Sequence, residues 1–149
     1  WSSDVCSSDL EAKEYAQAST VLEAGEFLLS KGAAYAVVKQ GEYGATLLGR
    51  DSAGNLQIFR CPAYPLKTLV DPTGAGDTFL GALAGYLATL PPVLPSFEEV
   101  KRGIVYGTVA ASFTCESFSA DALLSMTEET FRRRLEEYAE MCRLPGVSC

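Results

Sequence analysis

The sequence predicts an α/β fold, and three observations carry that reading. A helix-periodic stretch leads into a short apolar run suited to a buried strand. Two β-prone stretches follow, separated by turn-forming residues. Further on, a strand-like dipeptide runs through a glycine-rich turn into a second helix-periodic stretch. At 149 residues with 48% hydrophobic and 21% charged content, the chain has the length and composition of one folded domain, or one piece of one.

In chain order, Trp1 to Leu10 reads WSSDVCSSDL, a small polar segment with neither helical nor strand periodicity. Residues 1–10 are therefore set apart as an atypical and foreign-looking segment. From Glu11 to Lys31 the spacing predicts a helix with Tyr15, Ala18, Val21, Leu22, Leu28 and Leu29 on one face and Gly32 as terminator. Ala34 to Lys39 reads as a strand covered on both faces. After the turn Gly41-Glu42-Tyr43-Gly44, Ala45 to Gly49 and Leu56 to Arg60 pair as a β-hairpin excursion across Arg50 to Asn55. Leu69-Val70 is expected to form a short strand before Asp71 to Asp77. Phe79, Leu83, Tyr86, Leu87 and Leu90 then recur at helical spacing until Pro91, Pro92 and Pro95. Ser96-Phe97-Glu98-Glu99 matches a capping box for the next helix, with Val100, Ile104, Thr108 and Ala111 on one face and small residues that permit close packing. A last helix starts at Ser125 or Thr127 and carries Phe131, Leu135, Tyr138 and Cys142.

Composition excludes several function classes. A formal net charge of -7 sets a repulsive field against polyanions and argues against nucleic acid as a partner. The basic run Arg132-Arg133-Arg134 lies among Glu128, Glu129, Glu136 and Glu137 and reads as a solvated helix face. With no histidine in the sequence, imidazole zinc sites and Ser-His or Cys-His catalysis are ruled out for this chain by itself. Five scattered cysteines without a Cys-x-x-Cys pair predict reduced thiols and a cytoplasmic location. No apolar run is long enough to span a bilayer, so no membrane partner is expected.

Chemistry concentrates at Asp71 to Phe79. A Gly74-Ala75-Gly76 triplet opening a helix presents unpaired N–H groups and the positive end of a helix dipole, which together attract anions. Asp77, in the first turn, faces the same point. A carboxylate beside an anion hole suits phosphoryl transfer, where a base accepts the proton of an attacking hydroxyl. Equally, Asp77 can simply complement the dipole while the glycines shape a turn; the residues alone leave both readings open. A Walker loop is excluded because no Gly-Lys-Ser/Thr triplet occurs. A dinucleotide fingerprint is disfavoured because its third glycine position is Phe79.

The nonapeptide Asp71-Pro72-Thr73-Gly74-Ala75-Gly76-Asp77-Thr78-Phe79 resembles the signature of ribokinase-like, PfkB-type carbohydrate kinases. The resemblance implies that Asp77 is the catalytic base, that Gly74, Ala75, Gly76 and Asp77 form the anion hole, and that Asp71 and Thr73 help bind a monovalent cation such as K+. It extends to Val37-Val38-Lys39-Gln40-Gly41-Glu42-Tyr43-Gly44-Ala45, similar to the strand and glycine turn that border the family's ATP site. Lys39, Gly41, Gly44 and Thr73 are the implied nucleotide contacts, with Lys39 by itself also readable as a strand-end lysine lying along apolar surface.

Two positions depart from the family pattern. An Asn-x-x-Glu motif near a magnesium-water network would align its glutamate with Glu11, but its asparagine would fall at Ser8. Ser112 to Ser119 occupies the place of a second cation-binding and adenine-flanking segment, with Ser117 where a glycine is common. The resemblance covers residues 11–149 and implies the C-terminal part of a three-layer α/β/α sandwich. Intact members are longer, with an N-terminal part that holds most sugar contacts and the lid. The implied function is ATP-dependent phosphorylation of a hydroxyl on a sugar or nucleoside with Mg2+; the alternative is a truncated, inactive nucleotide-binding fragment. Substrate identity and oligomeric state are not implied.

Overall fold

The computed structural model describes residues 5–118 and 125–143; residues 1–4, Ser119 and Cys149 among the positions discussed above lie outside them. A four-stranded sheet in the order β1-β2-β3-β4 is built from Val5–Ser8, Tyr35–Lys39, Ala45–Arg50 and Leu56–Cys61. β1 and β2 are parallel, and β2, β3 and β4 form an antiparallel meander. Around the sheet lie helices α1 (Asp9–Ala16), α2 (Val21–Ser30), α3 (Ala75–Ala88), α4 (Phe97–Cys115) and α5 (Glu128–Met141).

Strand alternation sorts the core into two layers of contact. Val37, Ala45, Leu47 and Cys61 pack with Phe79, Leu83, Val100, Ile104, Val109, Phe113 and Tyr138 of α3, α4 and α5. On the other face, Ala36, Val38 and Leu48 pack with Ala12, Ala24, Leu28 and Leu29 of α1 and α2. Helices therefore cover both faces, which is the α/β/α sandwich that the family resemblance implies. Each fully buried Leu, Ile or Val contributes about 1.5–3 kcal/mol relative to exposure. Among the described residues, no buried side-chain nitrogen or oxygen lacks a partner.

The hairpin, the capping box and the close helix packing form as expected. Ser96 Oγ accepts from Glu99 N, and the Glu99 carboxylate accepts from Ser96 N. A Cβ at Gly107 would stand 2.8 Å from Phe79 O and one at Gly103 2.6 Å from a Leu83 methyl, so α3 and α4 approach at a distance only glycine allows. The arginine run divides: Arg132 and Arg133 pair with Glu128 and Glu137 on α5 itself, whereas Arg134 turns inward to Glu116 and lies over the Phe113 ring.

Three expectations are corrected. Glu11 to Lys31 is not one helix: Gln17 takes a left-handed conformation (φ 52°), ending α1, and a second capping box, Thr20 with Glu23, starts α2. Tyr15 and Leu22 consequently point outward, 66% and 43% exposed. Within the first ten residues, Val5–Ser8 is a strand and Asp9 opens α1, because Ser8 and Glu11 form a capping box that the composition of the segment concealed. Finally, Leu69-Val70 is not a strand; the Val70 N–H goes instead to Cys115 O at the end of α4.

Candidate functional site at the start of helix α3

The parallel strands β1 and β2 end at Ser8 and Lys39, and α3 begins beside them. In open α/β sheets this carboxyl edge is where ligands bind. The approach to α3 is set by local bonds. Asp71 Oδ1 accepts from Thr73 N at 2.9 Å, and Pro72 O accepts from Ala75 N at 3.1 Å. Gly74 caps the helix at φ 82°, and its carbonyl accepts the Thr78 amide. In the first turn the Gly76 and Asp77 N–H groups have no acceptor within the helix. The Asp77 side chain is exposed in the same turn.

Lys39 completes the arrangement. A Cβ on residue 76 would meet its Nζ at 3.1 Å, so the ammonium stands directly over the opening turn, and glycine there makes room for it. Lys39 also acts on its other neighbours. Glu11 Oε2 accepts from Ser8 Oγ at 2.6 Å, Ser8 N at 3.0 Å and Ser7 Oγ at 3.2 Å. Those bonds, Ser8 hydroxyl first, hold the carboxyl below its usual range, with the Lys39 charge adding to them. Burial pushes the Cys6 thiol up, and Lys39 opposes that. Asp71 is likewise held below the usual carboxylate range by the hydroxyl and amide of Thr73.

Lys39, Gly74, Ala75, Gly76 and Asp77 thus lie together, with Asp71 and Thr73 at the entry of the same loop and Glu11 within the field of Lys39. Gly44 has a structural reason of its own. At φ 89° a Cβ there would lie 2.0 Å from Cys61 O, so the turn crosses the end of β4 in backbone contact. Gly41 adopts φ 55° with open space around it. Arg60 of β4 ties this turn down, donating to Gln40 Oε1, Thr46 Oγ1 and Tyr43 O.

Among the described residues no group of three or more His, Cys, Asp or Glu could hold a metal. Glu11 uses Oε2 in the cap, so this chain fits a divalent ion only of the kind that keeps most of its waters and takes further ligands from a phosphate. Sequence reading missed the Thr78 Oγ1···Thr114 Oγ1 contact at 2.9 Å, which joins α3 to α4 immediately after Asp77. No local pattern signals it. The Ser8-x-x-Glu11 capping box, by contrast, was present as a pattern.

Two amides without a helical acceptor and an ammonium thus lie close together, with an exposed carboxylate in the same turn. The profile of the pfkB family carbohydrate kinases matches residues 5–126. A ribokinase of Mus musculus is 36% identical over 97 residues, covering 64% of this chain and 28% of that protein. In fold, the chain is similar to aminoimidazole riboside kinase from Salmonella enterica, crystallised with aminoimidazole riboside and an ATP analogue. That match has a TM-score of 0.72 at 23% identity and covers 89% of this chain and 42% of the other. It is also similar to a ribokinase II from E. coli in complex with ATP and Mg2+, with a TM-score of 0.67 at 21% identity, covering 93% of this chain and 39% of that one. The chain spans less than half the length of each of these proteins.

Proposed function

The chain belongs to the pfkB family of carbohydrate kinases, and from that premise we propose that it carries the nucleotide-binding, base-bearing part of an enzyme that transfers the γ-phosphoryl group of ATP to a hydroxyl of a sugar or nucleoside. One observation carries the reading: Lys39 Nζ stands over Gly76 at the open first turn of α3, where Asp77 is exposed. The similar structures solved with an ATP analogue, or with ATP and Mg2+, support ATP as the donor.

In this mechanism Asp77 orients the acceptor hydroxyl and takes its proton as the new O–P bond forms and the bond to the ADP oxygen breaks. The Gly76 and Asp77 amides, shaped by Gly74 and Ala75, with Lys39 above them, hold the charge on the transferring group. Asp71 and Thr73 are proposed to hold a monovalent cation, K+ by the family resemblance, that steadies the loop. The Gly41 to Gly44 turn is proposed to border the nucleotide. Glu11 is the carboxylate of this chain proposed to hold magnesium, which would supply positive charge against that of the phosphates.

The open turn with its ammonium also fits a second reading, nucleotide binding without turnover. Calorimetric titration of this chain with magnesium and a non-hydrolysable ATP analogue in potassium buffer tests both. Saturable binding is expected, weakened about tenfold in Lys39→Met through loss of a charge-assisted contact. A folded chain with no heat of binding would remove the nucleotide site from it.

A further inference from the structure

The last turn of α4 grips the candidate loop at both of its ends. Cys115 O accepts from Val70 N at 2.9 Å and from Asp71 N at 3.4 Å, where the chain enters the loop. Thr114 Oγ1 meets Thr78 Oγ1 at 2.9 Å, one residue after Asp77, where the chain leaves it. Thr114 is 5% exposed, and its methyl group stands 3.9 Å from where a Cβ on Gly74 would be. A threonine hydroxyl inside a helix ordinarily turns back to the carbonyl of the preceding turn. Ser112, on the same helix, does this with Val109 O. Thr114 instead spends its hydroxyl on the neighbouring helix, at the step that follows the proposed base.

We propose that Thr114 is a positioning residue: through Thr78 it fixes the first turn of α3 against α4, so that the Gly76 and Asp77 amides and the Asp77 carboxylate keep their placement beneath Lys39. This deepens the proposed function and rests on it. The loop has no regular secondary structure before Ala75, and its two ends are anchored to the same turn of the same helix. Losing the hydroxyl pair frees the exit of the loop while the entry stays attached to Cys115 O. The effect therefore falls on ligand binding rather than on the core.

The test uses 15N-labelled chain titrated with magnesium and a non-hydrolysable ATP analogue, following the amides of Gly74, Gly76 and Asp77, with thermal midpoints measured alongside. Thr114→Val keeps the shape and removes the hydroxyl; Thr114→Ser keeps the hydroxyl and removes the methyl. Expected is about a tenfold weaker Kd and smaller loop shifts for Thr114→Val, the loss of one hydrogen bond's worth of placement. Thr114→Ser should bind within about twofold of wild type by the same measure. Thr78→Val removes the bond from its half-buried side, and the double Val variant should bind no worse than either single one. Thr114→Val and Thr78→Val binding like wild type, or Thr114→Ser losing as much as Thr114→Val, overturns the positioning role and leaves the nucleotide site standing. Wild-type amides that do not respond to the analogue overturn both.

Discussion

Asp77 and Lys39 show how differently two residues of one site can be read. Asp77 lies in the first turn of a helix whose glycine cap announces it, so its place beside free amides follows from local rules. Lys39 ends a strand far upstream, and only the packing of β2 beside α3 puts its ammonium over Gly76. The two are predicted to fail differently in the full-length enzyme. Asp77→Ala should lower kcat by about two to four orders of magnitude, the range of a general base, with little change in ATP affinity. Near-normal turnover in steady-state assays would sink the assignment of Asp77. Glu11 illustrates a residue with a structural duty already in place, since its Oε2 closes the capping box with Ser8 and takes the Ser7 hydroxyl.

Among the elements, close backbone crossings set the tolerances. The turn after β2 passes over the end of β4 at Gly44, where a Cβ would sit 2.0 Å from Cys61 O at φ 89°. Gly54, in the hairpin loop at φ 85°, has nothing within 4 Å of the same position. Gly44→Ala must therefore move backbone as well as accept a left-handed alanine, and is expected to cost more than about 2 kcal/mol. Gly54→Ala carries only the conformational cost, about 1 kcal/mol. Urea midpoints of the two variants check the order; equal shifts would mean that the crossing is looser than described. Gly107→Ala, which drives a methyl toward Phe79 O at 2.8 Å, should cost about 1–3 kcal/mol by overpacking α3 against α4.

For the whole molecule, the titrating groups divide by sign. Glu11, Asp51, Asp71 and Glu99 all have carboxyls lowered by hydrogen bonds to hydroxyls, amides or a neighbouring asparagine. Between the folded and unfolded values the unfolded chain holds more protons, so their stabilisation is complete above the usual carboxylate range and is lost as pH falls through the folded values. Tyr138 and Cys61 behave oppositely. Burial raises both, most for Tyr138, whose hydroxyl donates to Pro62 O and meets Cys61 Sγ at 3.1 Å. Their contribution is present below the ordinary thiol and phenol range and declines as pH rises above about 9. Thermal melts should therefore show a plateau near neutrality, with Tm falling below about pH 4.5 and again above about pH 9. A Tm independent of pH between 3 and 5 would mean that these carboxyls are not held as described.

The sequence by itself determined what is written within a turn of helix or a pair of strands. The Asp71 to Asp77 loop, the Ser96 capping box, the hairpin of β3 and β4 and the small-residue packing face of α4 were all legible, because each rests on neighbours a few residues apart or on the period of one face. Where a local signal was hidden by composition, as at Ser8 with Glu11 or Thr20 with Glu23, the reading erred and the structure shows the caps in use. Only the tertiary structure decided which distant groups meet at the loop: Lys39 over Gly76, Thr114 against Thr78, and Cys115 O as the acceptor for Val70 and Asp71. The reason is physical. Local bonds are specified by spacing along the chain, whereas these meetings follow from how two apolar faces of one sheet bury themselves against the helices on either side, a collective choice that no single stretch of sequence encodes.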